Sequence, residues 1–521
     1  MLLEKDNLEK IDKVMSIGQF AALRTELRQA GKKVAYCHGV FDLLHPGHIA
    51  HLEEAKSIAN ILVVSVTSAP HVNRGPGRPY FSDELRMKSL AAISCVDYVL
   101  LVEEPTAMKM LEVIQPDFYV KGSEYAKAED DVTGNIDKEV EQVRRYGGDI
   151  YFTNGVVFSS TLLLNHNFSV FPPGVKEFAQ TFATKYTCEH IKKVIDAMRH
   201  LKVMVVGDII IDEYVFCRVQ GLTSKDRAFS VVYDREERYL GGALAIARHI
   251  ANFSDKVTIC SIVGNDQCIH NRILNDLSGS MLLNLHFDKT YQMVVKRRFI
   301  ERRGIRNDYE KMLSVNYLDK PHEEEIANRQ SFYNRLELEI PHYDMVVVAD
   351  YGHGLLDKTA MEIIQAKAKF LALNCQTNSS NYGTNPITKY RRADTFAVDE
   401  RELRLALAES REEPDVLLER LKDQLNSQAV WVTLGSMGSL TIDKNNDRVK
   451  TPALTLTVLD TVGAGDAFYA LASLAAYLEA ELPVSSFIGN VAGALAANIM
   501  GNSKSVERAA FLKFASTLLK F

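Results

Sequence analysis

The sequence predicts an α/β protein built from two successive domains. Between residues 30 and 165, short runs rich in β-branched residues alternate with amphipathic segments, and the alternation resumes after residue 200. Such alternation is typical of β-α-β units on a parallel sheet. The 521 residues exceed one ordinary core, because a domain usually holds about 100–200 residues. Between the two stretches, Pro172 and Pro173 cannot continue a helix, and Gly174 stands beside them.

The elements of the first half follow in order along the chain. A helix is predicted over NLEKIDKVMSIGQFAALRTELRQAGKK, ending at Gly31. The predicted strands are KKVAYC, ILVVSV, DYVLLV, DFYVKG and DIYFT. The predicted helices between them are IAHLEEAKSIA, SDELRMKSLAAIS and TAMKMLEVIQ. We therefore expect a first domain over residues 1–170.

A second α/β domain is predicted over residues 201–521, after a linker and helix over residues 171–200. The helix is CEHIKKVIDAMRHL, and a new strand, KVMVVGD, follows it. Further predicted strands are KVTICSIVG, YDMVVVADYG, FLALNC and AVWVTLG.

Composition and charge exclude several classes of protein. A formal charge of −6, from 61 basic and 67 acidic side chains, gives no electrostatic reason to bind nucleic acid. The apolar runs are strand-sized, shorter than the ~20 residues of a membrane span, and the amino terminus does not resemble a secretory signal. Seven scattered cysteines without a C-x-x-C pair favour reduced thiols over disulfides or zinc. We expect a soluble cytoplasmic protein without nucleic-acid or membrane partners.

The stretch HGVFDLLHPGHIAHLEEA places His45 and His48 around a Pro-Gly pair, where a strand gives way to a helix. Pro46 suits the first turn of that helix. The two histidines then lie three residues apart on one face, near the positive end of the helix dipole. Three interpretations are open: a metal site, capping histidines, or cations that face a phosphate.

Six motifs in order resemble the cytidylyltransferase-like nucleotidyltransferases, from about Lys13 to Asn165. They are GVFD with HPGH, RGPGRP, CVDYVLLVEE, PDFYVKGSEY, YGGDIYF and FSSTLLL. The likeness is greatest to the transferase half of the bifunctional heptose kinase/adenylyltransferases that make ADP-heptose. It implies a Rossmann-like domain in which a sugar-1-phosphate attacks the α-phosphorus of ATP or CTP and pyrophosphate leaves.

The resemblance assigns roles to individual residues of this domain. His45 and His48 are the implied catalytic residues that hold the triphosphate. The implied nucleotide and phosphate contacts are Gly39, Phe41, Asp42, Arg74, Arg78, Lys121, Ser160 and Thr161. Lys121 could equally be a solvated lysine at a strand end. The family's VNSD is VTSA here, so Thr67 and Ala69 depart from the pattern.

In the second half, the stretch LDTVGAGDAFYALASLAAYL sets a glycine-rich turn directly before an apolar helix. Gly463, Ala464 and Gly465 can turn their N–H groups toward one point, which makes an anion hole at a helix N-terminus. Asp466 follows in the first turn, where a carboxylate can take a proton from an attacking hydroxyl. Without further context, G-A-G-D is equally a helix start that carries an acid.

Almost all of residues 202–521 resembles the ribokinase-like sugar kinases, with VGDIIIDEY, LGGALAIA, VTLGSMGSL and DTVGAGDAF in the family's order. The resemblance makes Asp466 the catalytic base, beside an anion hole of Gly463, Ala464 and Gly465. It places Asp212, Gly241 and Gly242 at the sugar, and Thr433, Gly435 and Gly438 at ATP. Asp399 and Glu402 would lie near phosphate and Mg²⁺.

Departures from the heptose kinases concentrate at the sugar end. Ala245 replaces an Asn after the Gly-Gly pair, and Asn374, Cys375 and Gln376 replace the family's DPK. The segment TSKDRAFS replaces SPEAPVP. The basic run KRRFIERRGIR, from Lys296 to Arg306, is predicted as a strand or lid with solvated charges that could reach a phosphorylated sugar.

The two resemblances predict a bifunctional enzyme of nucleotide-activated sugar synthesis, a homodimer that acts on sugars or sugar phosphates and nucleotides. The domains stand in the order transferase then kinase, the reverse of the usual heptose protein. One alternative is a kinase and cytidylyltransferase for another sugar or polyol. A second is a transferase whose kinase-like domain only binds or dimerises.

Overall fold

The computed structural model describes residues 13–72, 75–104, 106–122, 136–153, 171–172, 174–264, 266–277, 279–303, 308–318, 329–378, 381–455 and 457–520. By its contacts the chain divides into two compact units, residues 1–170 with 512–521 and residues 171–511. Within the described ranges, no helix combines the length and the apolar character that a membrane crossing requires. None of the seven cysteines forms a disulfide.

The first unit is an α/β domain with a six-stranded parallel sheet. Its strands are β1 (Val14–Met15), β2 (Val34–Gly39), β3 (Ile61–Thr67), β4 (Tyr98–Val102), β5 (Phe118–Gly122) and β6 (Asp149–Thr153). Its described helices are α1 (Ile17–Gln29), α2 (Pro46–Ser57), α3 (Asp83–Ala91), α4 (Met108–Ile114) and α5 (Ile136–Arg145). The strand order is β1-β4-β3-β2-β5-β6, and every pairing is parallel.

Strand β2 lies where the winding of this sheet reverses, because β3 pairs with one of its edges and β5 with the other. Both faces of the sheet are covered. Tyr36 packs into the core on one face, and Ala35 and Cys37 pack into the core on the other. Ligands of such sheets bind beyond the carboxyl ends of the strands at the reversal point. The end of β2, at Gly39, is that position here.

The second unit begins with α6 (Val175–Ala183) and α7 (Cys188–Ala197), in the stretch predicted as a linker with a helix. Phe182 stacks on Phe487 with ring centroids 4.6 Å apart, and Phe178 stacks on it at 6.5 Å. Residues 175–197 are therefore a packed part of this unit.

A nine-stranded sheet forms the centre of the second unit, in the order β11-β10-β7-β14-β15-β16-β17-β18-β19. These strands are β7 (Lys202–Gly207), β10 (Lys256–Val263), β11 (Leu282–Phe287), β14 (Met345–Asp350), β15 (Leu371–Cys375), β16 (Thr395–Asp399), β17 (Ala429–Thr433), β18 (Ser439–Asp443) and β19 (Arg448–Thr451). The pairings are parallel from β11 to β17 and antiparallel from there to β19.

Helices cover this sheet, and a second sheet of four strands belongs to the same unit. The helices are α8 (Ala243–Ala251), α9 (Gln267–Leu277), α10 (Gln330–Glu339), α11 (Lys358–Lys367), α12 (Glu400–Leu407), α13 (Pro414–Leu425), α14 (Ala464–Tyr477) and α15 (Leu482–Ala496), and α16 (Arg508–Leu518) begins in this unit. The small sheet has the order β13-β12-β8-β9, from β8 (Ile209–Leu222), β9 (Phe229–Gly242), β12 (Val294–Arg303) and β13 (Asp308–Tyr317). Together the two units give the predicted class, an α/β protein of two successive domains.

Candidate functional site

The histidine pair of the first unit lies at the N-terminus of α2. His45 is the N-cap residue, with extended backbone, and its Nδ1 accepts a hydrogen bond of 3.3 Å from the His48 backbone N–H. Pro46 occupies the first turn, as predicted. The two imidazole rings stack with centroids 3.9 Å apart. His45 therefore caps the helix, and both rings stand together at the positive end of its dipole.

Burial favours the neutral form of these two imidazoles. It lowers the pKa of His48 to about 4, with further lowering from neighbouring His45 and His51, and it also lowers the pKa of His45. The Nδ1 atom of His48 is buried and has no hydrogen-bond partner among the described residues. Of the three interpretations, the geometry shows the capping role of His45, and burial favours the neutral form of both rings before a ligand binds.

Gly39 and Phe41 shape the backbone just ahead of this helix. Phe41 has a positive φ of 48°, unusual for a residue with a side chain. A Cβ atom on Gly39 would lie 3.1 Å from the Phe41 ring, and that ring meets His48 edge-on at 5.4 Å between centroids. Gly39 thus makes room for the ring that packs on His48.

Two residues predicted as nucleotide contacts, Asp42 and Arg78, hold a loop. The Asp42 carboxylate accepts hydrogen bonds from the backbone N–H groups of Tyr80 at 2.9 Å and Phe81 at 3.0 Å, and Arg78 lies 3.4 Å from it. The side chains of Arg78 and Asp42 are only 4% and 9% exposed. Both side chains hold the loop that follows α2 and β3, and their opposite charges face each other inside the protein. Arg74, Ser160 and Thr161 lie outside the described residues.

Lys121, at the carboxyl end of β5, is not a solvated lysine. Its Nζ lies 2.9 Å from Glu139 Oε2, with side-chain exposures of 13% and 7%. The Tyr119 hydroxyl donates to the same carboxylate oxygen at 3.0 Å. Lys121 therefore already has a buried counter-ion at the edge where the predicted phosphate would bind.

His38, which the sequence analysis did not single out, ends β2 beside the predicted site. Its Nδ1 shares a hydrogen bond of 2.7 Å with the Ser65 hydroxyl, and its Nε2 shares one of 3.3 Å with Thr67. Burial lowers the pKa of His38 to about 3. The sequence feature that could have pointed to His38 is Thr67, which departs from the family pattern and whose hydroxyl shares this hydrogen bond with the histidine. Ala69, the second departure, donates its backbone N–H to Asp83 at 2.9 Å.

In the second unit, Asp466 stands in the first turn of α14 and is 7% exposed. Its Oδ1 accepts from Gln376 Nε2 at 2.7 Å and from Asn374 Nδ2 at 3.1 Å. Burial raises the pKa of Asp466, and the neighbouring Tyr351 together with the hydrogen-bonded amides of Asn374 and Gln376 opposes that rise. Two residues noted only as departures from the family pattern are therefore the partners of the predicted base.

The glycine turn ahead of Asp466 leads directly into the N-terminus of α14. Gly463 is the N-cap of α14 with φ 82°, and a Cβ atom there would lie 2.4 Å from Asn502 Oδ1. Ala464 begins the helix. A Cβ atom on Gly465 would meet nothing within 4 Å, so the space beside that residue is open.

The predicted sugar residues lie together, but their polar groups are already engaged. Asp212 accepts from Arg298 at 2.5 Å and from Asn502 at 3.0 Å. A Cβ atom on Gly241 would lie 2.2 Å from the Asp212 carboxylate, and one on Gly242 would lie 2.3 Å from the Asp208 carbonyl oxygen. The two glycines admit these close approaches. Ala245 is buried in α8.

At the predicted ATP end, the connection between β17 and β18 is a tight turn. Thr433 ends β17, and Gly435 and Gly438 have positive φ angles of 57° and 92°. A Cβ atom on Gly438 would lie 2.0 Å from the Thr451 carbonyl oxygen. Only glycine fits there without moving the backbone.

Asp399 and Glu402 form a capping box at the start of α12. Asp399 accepts from the Glu402 N–H at 2.6 Å, and Glu402 accepts from the Asp399 N–H at 2.9 Å and the Thr377 N–H at 2.8 Å. Burial, and then the nearby Asp399, raise the pKa of Glu402 to about 8. The described ranges hold no group of three or more His, Cys, Asp or Glu side chains that could bind a metal. These residues, engaged by backbone N–H groups, do not fit a resident Mg²⁺ ion, so Mg²⁺ would arrive as part of the ATP substrate.

Two family models match the chain. The cytidylyltransferase-like model covers residues 36–169, and the pfkB family carbohydrate kinase model covers residues 200–509. The first contains the histidine pair, and the second contains Asp466 with its amide partners.

Similar proteins match smaller parts. A bifunctional protein HldE of Syntrophotalea carbinolica is 37% identical over 125 residues, 24% of either chain. That of Citrifermentans bemidjiense is 38% identical over 142 residues, 27% of this chain and 28% of its own. The matched region thus spans about a quarter of these relatives' length.

Solved structures of carbohydrate kinases also match. Phosphofructokinase-2 from Escherichia coli is 14% identical, covering 61% of this chain and 99% of its own with a TM-score of 0.48. Ribokinase from Thermotoga maritima is 17% identical, covering 60% and 99% with a TM-score of 0.47.

Proposed function

Because this chain belongs to the pfkB family of carbohydrate kinases and carries a cytidylyltransferase-like domain ahead of the kinase domain, we propose that it is a bifunctional enzyme of activated-sugar synthesis. The second unit phosphorylates a sugar with ATP-Mg²⁺. The first unit joins a sugar-1-phosphate to a nucleotide and releases pyrophosphate. The HldE relatives support a sugar of the heptose type.

The observation that carries the kinase activity is the placement of Asp466 between two amide donors, directly after the Gly463 turn. In the proposed step, the sugar hydroxyl gives its proton to Asp466 and its oxygen bonds to the γ-phosphorus of ATP. The bond from the γ-phosphorus to the bridging oxygen breaks, and ADP leaves with that electron pair. N–H groups at the start of α14 bind the charge that develops on the transferred group.

The transferase activity is supported by the stacked histidine pair at the N-terminus of α2. A phosphate that docks there meets the positive end of the helix dipole and two imidazoles that can donate hydrogen bonds. A sugar-1-phosphate oxygen attacks the α-phosphorus in line, and the bond from that phosphorus to the leaving pyrophosphate breaks. His45 and His48 bind the triphosphate through this step.

The proposal extends to the nucleotide, the pathway of the product, the cellular compartment and the oligomeric state. The resemblance to the heptose kinase/adenylyltransferases favours ATP as the nucleotide of the first unit, and CTP is the alternative. The product would enter the synthesis of a surface glycan, lipopolysaccharide or capsule, in the cytoplasm. If the heptose pathway applies, a phosphatase acts between the two reactions. We also propose that the protein is a homodimer.

The test is a screen of the purified protein with each of the four nucleoside triphosphates and a panel of sugars, sugar phosphates and sugar-1-phosphates. Release of ADP with one sugar and of pyrophosphate with one sugar-1-phosphate is expected. Pyrophosphate release without any kinase turnover would instead favour a kinase-like domain that only binds. Absence of both activities over the panel would contradict the proposal.

A further inference from the structure

Strand β12 presents two cations to the same side of the small sheet as Asp212. Lys296 pairs in register with Asp212 across the parallel strands β12 and β8, and paired residues of adjacent strands share a face. Arg298, two residues later, lies on that face too and donates to Asp212 at 2.5 Å. Asp212 also accepts from Asn502, so it is fully engaged without Lys296.

The Lys296 amine has no ion pair or hydrogen bond within the described part of the chain, although much of its side chain is buried. Its Nζ lies 5.8 Å from the centroid of the Tyr351 ring. Burial lowers the pKa of Lys296, Arg298 lowers it further, and Asp212, Asp208 and Asp466 oppose the change. An unpaired cation thus stands among the carboxylates of the proposed kinase site.

The Asp466 carboxylate faces charged and titratable groups from several elements. They are Asp212 from β8, Lys296 from β12, Tyr351 after β14 and Glu402 from α12. His353, also after β14, is close to Lys296. Among these groups Lys296 is the cation, and the others are acids, a phenol or a neutral imidazole.

We propose that Lys296 is a positioning residue that keeps the Asp466 carboxylate ionised for sugar phosphorylation. A general base must be ionised before the hydroxyl arrives, and burial of Asp466 works against that state. The amides of Asn374 and Gln376 stabilise the anion by hydrogen bonds. Lys296 adds a positive charge that is not neutralised by an ion pair within the described residues. This inference rests on the proposed kinase activity.

The test compares the pH dependence of kcat/KM for the sugar in four full-length proteins: wild type, Lys296→Met, Lys296→Arg and Arg297→Met. Removing a cation near a carboxylate raises its pKa, by about one unit at the lower end of the usual range. The acid limb of Lys296→Met should therefore move to higher pH by about one unit, with a roughly tenfold lower rate below that limb. Lys296→Arg should restore the wild-type limb.

Arg297→Met is the matched control, because Arg297 is the next residue of β12 but points to the other face, where it pairs with Glu213 at 2.7 Å. Its acid limb should coincide with that of the wild type. An unchanged acid limb in Lys296→Met, or an equal shift in Arg297→Met, would overturn the inference. Circular dichroism confirms that each variant is folded, and Lys296→Gln replaces Lys296→Met if the latter does not fold.

A readout without turnover separates this inference from the proposed function. The carboxyl band that Asp466→Asn removes from infrared pH-difference spectra belongs to Asp466. In the Lys296→Met background that band should titrate about one unit higher than in the wild type. If the wild type phosphorylates no sugar, the proposed function fails while the infrared titration still decides the role of Lys296. A band that titrates at the same pH in both proteins would contradict that role.

Discussion

Asp466 is the residue on which the proposed kinase activity depends most. We predict that Asp466→Asn lowers the sugar phosphorylation rate roughly 10²-fold or more, the scale of a lost general base. The amide keeps an oxygen that can accept from Gln376, so ATP binding, measured by calorimetry, should be largely retained. Pyrophosphate release from a supplied sugar-1-phosphate should continue at the wild-type rate. Normal sugar phosphorylation by this variant would show that Asp466 is only a helix-start acid.

His48 tests the first unit in the same way. His48→Ala removes the ring that stacks on His45 and faces Phe41, and we predict that nucleotidyl transfer is lost while sugar phosphorylation stays near normal. The two activities are followed in parallel as pyrophosphate and ADP release. Equal loss of both in a folded variant would contradict two independent sites.

The motifs predict which residues carry the chemistry, but they do not predict the partners of those residues. A motif shows that Asp42, Arg78 and Lys121 stand near a ligand edge, yet only folding shows that Asp42 holds backbone N–H groups and that Lys121 has Glu139 beside it. Such partners come from distant parts of the chain. Motif spacing does not encode them.

At the scale of elements, the turn between β17 and β18 contains two glycines with positive φ, and only one of them, Gly438, also lacks space for a Cβ atom. Gly435→Ala should incur only the cost of a positive φ, since a Cβ atom there meets nothing within 4 Å, and that cost is of order 1 kcal/mol. Gly438→Ala adds a clash with the Thr451 carbonyl oxygen. We predict that Gly438→Ala lowers the free energy of unfolding of the second unit more than Gly435→Ala, as measured by urea titration. Equal losses would show that the β17–β18 turn relaxes freely.

Parallel strands and their helices could be predicted because their apolar runs are continuous or periodic. The helix predicted to end at Gly31 was partly wrong, because Val14–Met15 within it is strand β1 and the helix runs only from Ile17 to Gln29. Gly31 has the positive φ of 66° usual after a helix. The long pairing of β8 with β9 was not predicted, because the outer part of β9, FSVVYDREER, is largely exposed and carries charges. The prediction that the charges of β12 are solvated is partly wrong, because the Arg298 side chain is 11% exposed and paired with Asp212.

At the scale of the whole molecule, the two units should respond differently to acid. Burial lowers the pKa of His38 to about 3 and of His48 to about 4 in the first unit. A histidine with a lowered folded pKa supplies stability that is present above its unfolded pKa, about 6.5, and is lost as the pH falls. The slope is at most about 1.4 kcal/mol per pH unit for each group. The first unit should therefore lose stability between pH 7 and 5.

In the second unit, buried acids oppose the effect of buried histidines on the pH dependence of stability. Burial lowers the pKa of His249 to about 3 and of His353 to about 4, but it raises the pKa of Asp208 to about 7 and of Glu402 to about 8. Acids with raised folded pKa values take up protons on folding, so stability from them increases as the pH falls toward their unfolded values. The protein's one tryptophan, Trp431, is buried in this unit, so its fluorescence reports urea unfolding there. Hydrogen exchange of peptides from residues 34–67 reports the first unit, and an equal response of both units to acid would contradict this account.

The histidine pair at the N-terminus of α2, in which burial favours the neutral form, would make the proposed nucleotide binding an acid–base event. A docked triphosphate favours the imidazolium forms of His45 and His48, whose pKa values burial has lowered. Near neutral pH, binding should therefore take up protons from the solution. In calorimetric titrations, the observed binding enthalpy should vary linearly with the ionisation enthalpy of the buffer. His48→Ala should reduce the slope of that line, which counts the protons taken up. A binding enthalpy that is the same in every buffer would mean that the histidines bind the nucleotide without changing charge.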